Sequence, residues 1–185
     1  MATMNEAMSY FDPSEVKENV RLVPGKYLGH ISKVTIKKDV KVRGKYMSNI
    51  YNYYMTICEE NKENTYDVEG IDGVTKTYNG DVYKGKEVRS NGVFHFIAPT
   101  EMDEFEANPG GNKKYYDLTV GCQVEANTKE VEVDGKTRTV YELPNLEVHD
   151  MIGKPVIATL NFGKAWKGDD GVERKTLEVK HIDPW

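Results

Sequence analysis

Seven cationic side chains (Lys26, Lys33, Lys37, Lys38, Lys41, Arg43 and Lys45) stand between residues 26 and 46 against one acid, Asp39. Tyr46, Tyr51, Tyr53 and Tyr54 follow directly. Those types in that order suit a single-stranded nucleic acid, because phosphates are met by charge and bases stack on flat rings. The local balance of +6 sits in a chain of net charge −5. An anionic ligand would therefore be steered to one face and repelled elsewhere. Trp166, close to Lys164 and Lys167 in the stretch 163–171, repeats the combination in a turn region where a large ring has less chance of being core. The bland reading of the same run is a solvated basic hairpin.

Other chemistries find less support. Gly80, Gly85 and Lys86 have phosphate-loop spacing, but Glu87 stands where Ser or Thr should hold magnesium, and Val82 and Tyr83 fill a loop that needs small residues. His30, His95, His149 and His181 are scattered and lie in no zinc-binding context. Asp67, Glu69 and Asp72 lack the spacing and the closing Glu of a calcium loop. Cys58 and Cys122 have no CxxC neighbour and read as reduced, structural thiols. No catalytic constellation, metal site or cofactor is expected, and the chain reads as a non-enzyme.

Strands must position these groups, for helical periodicity is scarce. The expected order begins with a bent strand over residues 26–38, its parity switching between Ile31 and Val34. A second strand follows over 49–58, with Tyr51, Tyr53, Met55 and Ile57 on the core face and Tyr54 outward. Residues 59–72 read as an acidic surface loop, and Asn79-Gly80 as the two-residue turn of an inserted ribbon. A third strand is expected over 87–97, bulged at Asn91-Gly92, with its core face undecided between Phe94 with Phe96 and Val93 with His95 and Ile97. Residues 115–122 suit a short helix or a strand, Asp134-Gly135 signals a hairpin, and residues 145–151 suit a helical turn closed by Gly153. The last pair, 155–162 and 174–182, alternates well and should bury Leu160 and Val179. Residues 1–22, with one helical turn at Asp12-Pro13-Ser14-Glu15, read as a flexible arm, and residues 23–185 as a single domain. The fold class is all-β with minor α: a five-stranded OB-like barrel with inserted ribbons and a short helix between strands three and four. A β-sandwich is the rival.

Three short motifs add a resemblance: Pro24-Gly25-Lys26-Tyr27 opening the first strand, the aromatic run Tyr51 to Tyr54, and Gly153-Lys154-Pro155-Val156 before the closing hairpin. Together the chain resembles bacteriophage single-stranded-DNA-binding proteins with an OB fold. The resemblance implies single-stranded DNA binding without strong sequence preference, in phage replication or recombination, in the host cytoplasm. Phage replication or recombination proteins are the implied further partners, although the C-terminal Lys180 to Trp185 lacks the acidic tail many such proteins use for recruitment. Lys37, Lys38, Lys41, Arg43, Lys45, Lys164 and Lys167 would meet phosphate, and Tyr46, Tyr54 and Trp166 would stack bases. The alternative is a phage structural or protein-interaction module whose basic hairpin is an edge guarded against strand pairing. No apolar run is long enough to cross a membrane, and no secretory leader is expected.

Overall fold

The computed structural model describes residues 19–42, 46–97 and 112–185. The expected helical turn at 12–15, Arg43, Lys45 and the acidic stretch 101–106 lie outside them. Among the described residues, twelve strands and two short helices follow in order. The strands are β1 (Gly25–Val42), β2 (Tyr46–Ile57), β3 (Thr65–Glu69), β4 (Thr75–Asn79), β5 (Glu87–Arg89) and β6 (Val93–Ile97), then β7 (Asn127–Val133), β8 (Lys136–Glu142), β9 (Pro155–Phe162), β10 (Trp166–Lys167), β11 (Glu173–Arg174) and β12 (Leu177–Pro184). Helix α1 (Lys113–Gly121) lies between β6 and β7, and α2 (Val148–Met151) between β8 and β9.

The expected closed barrel is not formed. One six-stranded sheet runs β12-β9-β1-β2-β5, with β6 also on β2, and three separate two-stranded ribbons pair β3 with β4, β7 with β8, and β10 with β11. Among the described residues, the ends of the large sheet meet only at an isolated bridge, Ser90 to Val179. The reason lies in the expected third strand, which Gly92 at φ 71° divides into β5 and β6. Three residues of β5 are too few to lay a ladder along the eight of β12. The OB-like five-stranded barrel is therefore replaced by an open sheet with attached ribbons.

Two further expectations change. The acidic loop 59–72 contains a 3-10 turn, Glu59–Glu63, and the strand β3. Asn79-Gly80 is no hairpin turn, for β4 pairs backwards with β3 and Gly80 opens a second 3-10 turn, Gly80–Tyr83. A Cβ on Gly80 would lie 2.2 Å from the Asn61 carbonyl oxygen, so close backbone packing is what requires glycine here. By contrast, Asp134 (φ 53°) and Gly135 (φ 70°) make the expected hairpin turn between β7 and β8.

Alternation builds the core. Tyr51, Tyr53, Met55 and Ile57 of β2 are buried, as are Val156, Ala158 and Leu160 of β9 and Val179 and Ile182 of β12. A register shift between Ile31 and Lys33 bends β1 where its apolar parity changes. Helix α1 buries Tyr115, Leu118 and Thr119, with Cys122 at its C-cap, a one-face spacing, and Gly121 lets it approach β12 until a Cβ would stand 2.5 Å from Ile182 Cγ1. On β6 the buried residue is His95, stacked at 4.0 Å on Tyr115, while Phe94 and Phe96 stack on the other face. Burial raises the thiols of Cys58 and Cys122 to about 11 and about 12, so both unpaired cysteines stay protonated.

Candidate functional site

The residues singled out for phosphate and base contacts are dispersed. Lys37, Lys38 and Lys41 are exposed on the outer half of β1, beyond the six residues that pair with β9. Lys38 is held by Glu147 at 2.9 Å, and Lys33 by Glu87 at 2.7 Å. Both ammonium groups are raised by those hydrogen bonds. Tyr46 opens β2, and the half-buried Tyr54 ring has Lys33 Nζ 5.4 Å from its centre. Trp166 and Lys167 are exposed on the small ribbon and Lys164 just before it, where Lys164 and Trp166 share a shallow cleft of about 380 Å³ with Arg89 and Leu177. Arg174 lies 5.6 Å from the Trp166 ring. Neighbouring acids thus engage part of the charge, and neighbouring cations lie against two of the rings.

A larger concavity of the described surface is elsewhere. A slot of about 1000 Å³ runs between residues 21–26 and residues 63–70, with Phe162 at its side. Stacking of Tyr66 on Tyr27 at 4.4 Å holds β3 against the start of β1, and the Tyr66 hydroxyl donates to the Lys26 carbonyl at 2.7 Å. Burial pushes the Tyr66 phenol up to about 12, which keeps that donor protonated. Asn61, fully buried, extends the join by accepting from Leu28 N–H at 2.8 Å and donating to Leu28 O at 2.6 Å. Tyr83 caps the other wall by donating to Arg21 O at 3.1 Å.

The hydrogen-bond parity of β3 follows from its two ends. Gly80 N–H donates to Asn64 O at 2.8 Å, and Gly70 N–H to Val74 O at 2.9 Å. Antiparallel pairs alternate, so Tyr66 with Tyr78 and Val68 with Lys76 are the hydrogen-bonded pairs between those ends. The backbone groups of Thr65, Asp67 and Glu69 point away from β4. Those same residues line the slot, and among the described residues their backbone has no partner beyond β4. Sequence reasoning passed over them although polar Thr65, Asp67 and Glu69 alternate with apolar Tyr66 and Val68, a strand signal inside a supposed loop.

A second, smaller concavity of about 420 Å³ lies where α1 meets β8, lined by Tyr116, Val120, Val124, Tyr141 and Pro184. Tyr116 and Tyr141 rings approach to 4.8 Å, and Tyr141 is 57% exposed. No group of three or more His, Cys, Asp or Glu suited to a metal ion occurs among the described residues. No helix of theirs is long and apolar enough to cross a membrane.

No family model matches the chain, and neither a curated protein nor a solved structure matches it. The resemblance to phage single-stranded-DNA-binding proteins is corrected accordingly: its short motifs are present, but the OB barrel they implied is not. The single-stranded-DNA function falls with it, since the cations and rings are not assembled into one basic, ring-lined groove among the described residues. The multi-sheet arrangement agrees better with an interaction module.

Proposed function

We propose that the chain is a non-catalytic protein-interaction module that takes up an extended segment of a partner along the free edge of β3. The carrying observation is the coincidence of three outward-facing backbone positions, Thr65, Asp67 and Glu69, with the slot of about 1000 Å³ on the described surface. Strand addition of this kind draws affinity from main-chain hydrogen bonds and selectivity from alternate side chains. The slot volume is at the upper end of the roughly 300–1000 Å³ usual for ligand clefts. The basic outer half of β1 then has the opposite task. Its lysines keep a long edge from pairing with other chains.

Display of random decapeptides against the full chain tests the reading. Asp67→Pro deletes an N–H that faces the slot and spares the ladder to β4, a position where an edge strand accepts proline. Selected peptides should bind Asp67→Pro at least about tenfold more weakly, as expected for losing buried hydrogen bonds. On the unaltered chain they should slow exchange of the Thr65, Asp67 and Glu69 amides. Peptides that bind both proteins equally and leave those amides unprotected would remove the edge from the function.

A further inference from the structure

We infer that the segment taken up beside β3 is basic at every second residue and apolar between; this rests on the strand-addition reading above. An added strand places each residue beside one of β3, with facing Cβ atoms about 4.5–5.5 Å apart. Residues facing Tyr66 and Val68 would join the face that β3 buries against Tyr27, where only apolar side chains are stable. Residues facing Asp67 and Glu69 would share the exposed face with two carboxylates.

Those carboxylates are uncommitted, unlike six other acids among the described residues. Glu59, Glu87, Glu147, Asp117, Asp170 and Glu178 each hold a lysine or arginine. Asp67 accepts only the Thr77 hydroxyl, at 2.6 Å, and neither it nor Glu69 has a cationic partner among the described residues. Glu63 adds a third acid at the end of the same wall, and Arg21 and Lys26 stand on the far wall. A strand hydrogen-bonded to β3 has the β3 side chains as its nearest neighbours, so the two acids set its preference. The far-wall cations disfavour a segment that is basic at every position.

Three fluorescein-labelled decapeptides, alternating valine with lysine, serine or glutamate, provide the test by anisotropy on the full chain. The lysine peptide should bind roughly 3- to 10-fold tighter than the serine peptide, and the glutamate peptide weakest. The preference should vanish in Asp67→Asn with Glu69→Gln and shrink in 1 M salt. Equal binding of the lysine and serine peptides, with sensitivity to Asp67→Pro retained, would overturn the charge preference and leave the edge reading standing. Failure of all three to bind would overturn both. Displacement of the lysine peptide by the acidic peptide of residues 1–18 would assign the slot to the chain's own N-terminal segment and overturn the proposal of a basic partner.

Discussion

The ribbons β3–β4 and β7–β8 are built alike and used differently. Each is an antiparallel pair with a short turn, but β3 buries Tyr66 and Val68 while β8 is exposed at every residue except the half-buried Val140. The packed ribbon is tied to distant chain by the Tyr66 stack and hydroxyl, and the exposed one sets Tyr141 against Tyr116 of α1. Pairing is therefore a local property and docking is not. A ribbon held rigidly along one face can offer its free edge to a ligand at little further entropic cost, whereas a projecting ribbon would have to be ordered first.

The sharpest way to break the contrast is to cut the tie. Tyr66→Ala should cost roughly 3 to 5 kcal/mol in chemical denaturation, the range for deleting a buried ring. Thr139→Ala on the exposed β8 should stay within about 0.5 kcal/mol. Comparable losses would mean that the two ribbons contribute alike.

Acid should loosen the support of the exposed ribbon more than that of the packed one. His95 lies on Tyr115, which donates to Pro144 O at 2.7 Å and accepts from Leu146 N–H at 2.9 Å, just beyond the end of β8. Burial lowers His95 from 6.5 to about 4, and its Nδ1 has no hydrogen-bond partner among the described residues. Its folded pKa is depressed, so the unfolded chain takes up a proton first as pH falls. This contribution to stability is whole above pH 6.5 and is lost towards pH 4, up to about 3 kcal/mol. Melts of His95→Gln should show a correspondingly shallower decline than those of the unaltered chain. Parallel declines would place the acid sensitivity elsewhere.

The smallest effect separates two glycines. Gly80→Ala drives a Cβ against the Asn61 backbone and should cost roughly 2 to 3 kcal/mol. Gly135→Ala meets nothing within 4 Å and pays only for its positive φ, about 1 kcal/mol. A reversed order in thermal melts would show that turn conformation, not docking, governs both.

The same two glycines explain what could be read in advance. Asp134-Gly135 was legible because both strands of its hairpin are adjacent in sequence and need no third element. Asn79-Gly80 carried an equally good turn signal and misled, because contact with Asn61, nineteen residues earlier, decided its conformation. In the same way the buried faces of β2 and β9 followed from alternation, whereas the division of residues 87–97 at Gly92 removed the strand on which barrel closure depended. The slot was illegible for a related reason. Its walls, residues 21–26 and 63–70, are some forty residues apart and are joined by the bond from Tyr66 to Lys26.

By itself the sequence determined the properties that depend on near neighbours: the predominance of strands, the inward faces of β2 and β9, the Asp134-Gly135 turn, and the separation of basic from acidic stretches. Tertiary structure alone decided which strand edges remain unpaired. Backbone N–H and C=O groups are the same at every residue, so no side-chain pattern marks an open edge. It exists only once packing has set which strands lie side by side and has left the Thr65, Asp67 and Glu69 edge of β3 facing a slot in place of another strand.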